Sequence, residues 1–189
     1  MMSAGKAVVS LFTLLFMMTG LAAAAKTQAP EWQTKLEQIL PLLGHRNWIL
    51  IVDSAYPLQS SAGVETLETN SDQLEVIRTV LNVIDNSSHL RPIVYMDAEL
   101  PFVPEKDAPG VTAYREGIKT ALAGRKITAM PHDQIITGVD EVGKAFHILV
   151  LKTTMAVPYT SVFLELRAKY WNDDAEAQMR KAMSNAVAK

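Results

Sequence analysis

A chain of 189 residues with 49% hydrophobic content fills one ordinary core, and two domains would be a squeeze. Its formal charge of -2, from 18 basic and 20 acidic residues, offers no field to a phosphate backbone, so no nucleic-acid partner is expected. The absence of cysteine removes disulfides, a thiolate nucleophile, thiolate-bound metal and lipid acylation of a cysteine.

The N-terminus carries Lys6, an apolar run from Ala7 to Met18, and then Thr19-Gly20-Leu21-Ala22-Ala23-Ala24-Ala25, the pattern of an export signal with a small-residue cleavage site. The run is shorter than the ~20 residues that span a bilayer and ends in alanines, not in a basic stop, which separates it from a retained anchor. The expected organisation is therefore a signal peptide at 1–25, one α/β domain at 26–171 and a C-terminal helical extension at 172–189. An exported product, periplasmic or secreted, follows, with no membrane contact after cleavage.

After a short leader, Trp32, Leu36, Ile39, Leu40 and Leu43 fall on one face at helical spacing, and Gly44 stops that helix. Trp48 to Val52 is a continuous apolar run bounded by turn formers, which suits a strand covered on both faces. Residues 57–70, rich in Ser, Gly and Thr, read as a loop. Asp72 then caps a helix carrying Leu74, Ile77, Val80, Leu81 and Ile84, which ends at Asn86-Ser87-Ser88.

A second strand is expected over Pro92 to Met96, a helix over Val111 to Leu122, and a third strand over Arg125 to Met130. His132 to Lys144 reads as a helix weakened by Gly138 and Gly143. Phe146 to Leu151 and Thr160 to Leu166 read as strands, and Asn172-Asp173-Asp174 opens a terminal helix. Helices alternating with strands predict a three-layer α/β/α domain with a largely parallel or mixed sheet, whose ligand sites gather at loops beyond strand ends.

Of the four histidines, two, together with a few turn residues, are candidates to carry chemistry. His45 follows a helix-ending glycine and precedes a strand, at the mouth of a sheet, where an imidazole exchanges protons near neutral pH; the same position also suits a histidine favoured by a helix dipole. Asp53 ends an apolar strand, where a carboxylate must be solvated or hydrogen-bonded, and it also suits a capped turn through Pro57. His132 opens a helix after Pro131. His89 and His147 have no partner at ligand spacing and read as structural. Tyr159 and Ser161 place a phenol and a hydroxyl before the last strand, where a phenol donates to a sugar oxygen while its ring covers an apolar sugar face.

No His-Glu-x-x-His pair, Gly-x-Ser-x-Gly elbow or glycine-rich phosphate loop is present, so no metal and no cofactor is expected.

Taken together, Leu43-Gly44-His45, the strand ending in Asp53 with Pro57 after it, the histidine at 132 and Pro158-Tyr159 before the last strand resemble the ribose pyranase and fucose mutarotase family, from about Trp32 to Leu166. That resemblance implies a cofactor-independent and metal-free isomerase acting on the ring forms of a free monosaccharide. It also implies a homo-oligomeric ring with active sites at subunit interfaces. His45 would be the principal acid/base group, Asp53 its orienter or a sugar ligand, and His132, Tyr159 and Ser161 sugar contacts. The chain departs from the family at Ser161, where asparagine is common, and at Ile136, where ribose pyranases carry lysine. A non-catalytic carbohydrate-binding protein or an envelope assembly protein on the same fold is the alternative.

Overall fold

The computed structural model describes residues 29–187, so the expected signal at 1–25 lies outside the described residues. Trp32 and Leu36 drive the first helix, α1 (Glu31–Ile39), against the sheet, and a 3-10 turn at Leu40–Leu42 extends it to buried Leu43. The side-chain oxygen of Asn47 accepts the Gly44 N–H at 2.7 Å, which closes the turn before β1 (Trp48–Val52). Within β1, Ile49 to Val52 are wholly buried, as a two-sided apolar run requires.

The expected loop at 57–70 contains a strand, β2 (Val64–Glu68). It is an edge strand that pairs only with β5 (Ile148–Lys152), and its residues are half-buried or exposed. Glu65 and Glu68 therefore sit where a central strand would carry aliphatic residues. The partner strand, not the local composition, supplies the reason for its extended form.

Asp72 caps α2 (Gln73–Asn86) by accepting the Glu75 N–H at 3.1 Å, and Val76, Ile77, Val80, Leu81 and Ile84 form its buried stripe. There follow β3 (Leu90–Asp97), α3 (Val111–Ala121), β4 (Ile127–Met130) and α4 (His132–Gly143). The chain returns through β5, crosses back in β6 (Val162–Ala168) and ends in α5 (Asp173–Val187).

The sheet order is β2-β5-β1-β6-β3-β4. β6 runs antiparallel to both its neighbours and the other five strands run together, so the sheet is mixed, as the alternation of elements implied. Helices α1, α2 and α3 cover one face over Ile49, Ile51, Val94, Leu149, Leu151 and Leu164. Helix α4 covers the other over Leu50, Val52, Ile148, Val150 and Phe163. This is the three-layer arrangement. Each of these apolar side chains contributes roughly 1.5–3 kcal/mol by leaving water.

Elsewhere in the sheet Trp48 of β1 stacks on Tyr95 of β3 at 5.4 Å, and the Tyr95 hydroxyl donates to Glu165 at 2.9 Å. α5 begins with Asn172 accepting the Ala175 N–H at 2.8 Å, and Asp173 pairs with Arg91 at 2.8 Å. No helix among the described residues is long and apolar enough to cross a membrane.

Candidate functional site

One consequence of the topology is chemical: the C-terminal ends of five strands meet the N-terminal end of β6 along a single edge, and the loops there carry the polar side chains. Asp53, immediately after β1, accepts the Ala55 N–H on Oδ1 at 2.8 Å, the hydrogen bond of a side-chain-closed turn. That turn brings Tyr56 inward until it is buried, and Lys152 at the end of β5 donates to the Tyr56 carbonyl at 2.8 Å.

Asp97 is the last residue of β3, and its side chain is fully buried. Its Oδ1 lies 3.0 Å from Nδ1 of His132, the first residue of α4, while its Oδ2 has no hydrogen-bond partner among the described residues. The Glu99 carboxylate accepts the His132 backbone N–H at 2.9 and 3.2 Å, so a different acid caps that helix. The imidazole is about one-third exposed, and Tyr159 meets it edge-on, with ring centroids 5.7 Å apart and planes at 84°.

Tyr159 adopts φ +59, a left-handed conformation that is costly for a bulky side chain and that clusters at functional sites. The Thr160 carbonyl accepts from Gln73 at 2.5 Å and from the Tyr114 hydroxyl at 2.6 Å, and Thr153 donates to the other end of Gln73 at 3.2 Å. All four residues are buried, so this network pins the 153–160 loop to α2 and α3.

These elements enclose a hollow of about 480 Å³ bounded by Asp53, Tyr56, Pro57, His132, Ile136 and Tyr159, within the size range of small-molecule sites. No lysine or arginine lines it. Burial raises the Asp97 carboxyl above its ordinary value; the hydrogen bond and charge of His132 oppose that shift, and the charges of Glu99 and Asp53 add to it. Burial also raises the Tyr56 phenol, with further contributions from the charges of Asp140, Asp53 and Asp97.

Of the residues picked out in the sequence, Asp53, His132 and Tyr159 come together. His45 does not join them within one chain. It lies in the turn before β1, near Glu176 of α5, and the five residues of β1, at about 3.3 Å each, separate it from Asp53. Ser161 is buried at the start of β6 and does not line the hollow. His89 binds the Leu43 carbonyl at 3.2 Å, and His147 stands 3.7 Å from Glu65, both away from the hollow.

Asp97, Glu99 and Gln73 escaped the sequence reading. For Asp97 a signal existed: it closes the apolar run Ile93-Val94-Tyr95-Met96 just as Asp53 closes β1. Among the described residues, no group of three His, Asp or Glu side chains converges with the geometry of a metal site.

No protein-family model matches the sequence, and no curated protein matches it either. Solved structures do. The chain is similar to RbsD of Bacillus subtilis complexed with D-ribose, with a TM-score of 0.50 at 17% identity over 71% of this chain and 92% of that one. It is also similar to the fucose mutarotase of Streptococcus pneumoniae in complex with L-fucose (0.49, 17%, 75% of this chain and 97% of that one) and to FucU from Bifidobacterium longum (0.48, 15%, 70% and 92%). A likeness at such low identity speaks to architecture, and the chain has the fold of RbsD in a divergent form.

Proposed function

We propose that the hollow binds a free monosaccharide and interconverts its ring forms by acid/base catalysis, without cofactor or metal. One observation carries this reading: Asp53, His132 and Tyr159, from three separate elements, converge on one hollow in a fold shared with a ribose-binding protein.

Opening a cyclic hemiacetal moves a proton from the anomeric hydroxyl to the ring oxygen as the C1–O5 bond breaks, and reclosure reverses this. No redox step is involved. Because ring opening already proceeds in water, a modest acceleration suffices, and one positioned acid or base supplies roughly 10²- to 10⁴-fold, about 3 to 5 kcal/mol. Asp53 commits Oδ1 to Ala55 and offers Oδ2 to a sugar hydroxyl. Tyr159 offers its hydroxyl as donor and its ring as an apolar wall, beside Pro57 and Ile136.

The position of His45 is compatible with a homo-oligomeric ring in which His45 of a second copy closes the hollow from outside. An exported enzyme acting on free sugars outside the cytoplasm fits the N-terminal sequence. Non-catalytic sugar binding is the second reading, favoured by Ile136 in the wall and by a Ser161 that does not reach the hollow.

Magnetisation-exchange NMR on a panel of free aldoses, D-ribose and L-fucose included, tests the proposal. Faster ring exchange for at least one sugar is the expected result. Unchanged rates for every sugar overturn it, and calorimetric binding without acceleration selects the second reading.

A further inference from the structure

We propose that His132 carries the proton in this hollow and that Asp97 is its positioning residue, holding Nδ1 so that Nε2 is presented to the substrate. The catalytic half of this inference rests on the sugar-isomerase reading; the positioning half stands without it.

Three observations separate Asp97 from an ordinary structural carboxylate. It does not cap α4, because Glu99 already takes the His132 backbone N–H. It is not a surface group, because its side chain is fully buried and, among the described residues, one oxygen has no protein partner, a costly arrangement for a carboxylate. Among the described residues its one side-chain partner is the imidazole, which bounds the hollow. A fold that tolerates such a cost at a strand end, for one ring nitrogen of an adjacent histidine, has the arrangement by which a carboxylate selects a tautomer and fixes a ring.

The imidazole is held from a second side as well. Tyr159, left-handed and followed by the Thr160 carbonyl that takes the Gln73 and Tyr114 donors, sets its ring edge-on to His132. The groups facing His132 are Asp97 and Glu99 from β3 and the turn after it, Asp53 and Tyr56 from the turn after β1, Tyr159, and Asp133 beside it on α4. None of these is basic.

With Nδ1–H donated to Asp97, Nε2 has its lone pair available. It takes the proton from O1 of the sugar while the C1–O5 bond breaks, its electron pair passing to O5 and C1=O1 forming. The imidazolium then gives the same proton to O5, which leaves the open aldehyde and restores neutral His132. One group serves both transfers, because O1 and O5 are bonded to the same carbon.

Long-range ¹H–¹⁵N NMR of the full chain labelled at histidine tests the positioning directly. At pH 8 the His132 ring is expected to be protonated on Nδ1 and bare on Nε2, and Asp97→Ala is expected to shift the population toward the Nε2–H form. A wild-type ring protonated on Nε2 overturns the proposal without any variant. For catalysis, His132→Gln and Asp97→Asn are each expected to lower ring exchange by about 10²-fold with sugar affinity held within about 3-fold. Full activity in His132→Gln overturns the proton role. If no sugar is turned over by the wild type, the isomerase reading and the proton role fall together, and the tautomer still decides the part played by Asp97.

Discussion

Asp97 and His132 join the end of β3 to the start of α4 through a 3.0 Å contact between a buried carboxylate oxygen and an imidazole nitrogen. The pair closes one wall of the hollow, and because burial disfavours the carboxylate, it also links the wall to pH.

The sign of that link follows from the raised Asp97 value. The folded chain binds this proton more readily than the unfolded chain, so its contribution to stability falls as pH rises from the ordinary carboxyl value of 3.8 through the raised one, and is constant above. Asp97→Asn removes the penalty along with the strong hydrogen bond. The variant is expected to gain stability relative to wild type as pH rises across that window, as read by urea denaturation at a series of pH values. A difference of constant size, or one that shrinks with pH, would contradict the burial argument.

Glu105 has the opposite sign. Its carboxylate accepts the Gly110 N–H at 2.6 Å and the Thr112 N–H at 2.8 Å at the start of α3, which lowers it from 4.5 to about 2. The resulting stabilisation is present above the ordinary value and is lost as pH falls toward 2. Glu105→Gln is expected to lower the melting temperature at pH 6 and to leave a shallower acid decline between 4.5 and 2; parallel melting profiles for the two proteins would count against it.

Tyr114→Phe removes one of the two donors on the Thr160 carbonyl and leaves Gln73 in place, so no buried acceptor is stranded. A loss of about 0.5–1.5 kcal/mol is expected. Because that carbonyl anchors Tyr159, sugar affinity should weaken as well. Calorimetry alongside denaturation checks both, and weakened stability with unaltered binding would separate the network from the hollow.

Two glycines with crowded surroundings should respond differently. A Cβ on Gly63 would stand 2.6 Å from the carbonyl oxygens of both Gly143 and Phe146, backbone atoms that yield only if β2 and the end of α4 separate. Gly63→Ala is therefore expected to cost about 1–3 kcal/mol. A Cβ on Gly117 would meet the end of the flexible Leu74 side chain, which can turn away, so Gly117→Ala should be near neutral. Equal costs in denaturation would show that the end of α4 is softer than its packing implies.

Much of this architecture is legible in residue spacing. Trp48 to Val52, Leu74 to Ile84 and Val162 to Leu166 announce themselves because burial on two faces or along one stripe demands apolar side chains there. β2 does not, because an edge strand held by one neighbour tolerates glutamates, and its extended form comes from β5, 84 residues further on, Val64 pairing with Ile148. The site divides along the same line. Asp53, His132 and Tyr159 sit at element ends, where a polar residue after an apolar run is visible, whereas the Asp97–His132 contact depends on β3 and β4 lying side by side, which is a tertiary fact. His45 shows the limit of local reading: nearness in sequence to Asp53 becomes separation in space when the intervening residues form a strand.

The central proposal is that the hollow is a place where a sugar ring opens. Two-dimensional exchange NMR of an aldose at a fixed protein concentration, comparing wild type with His132→Gln, measures this most directly. Acceleration by the wild type and a loss of about 10²-fold in the variant, with the sugar still bound, are the expected result. Equal exchange rates for wild type, variant and buffer would contradict it.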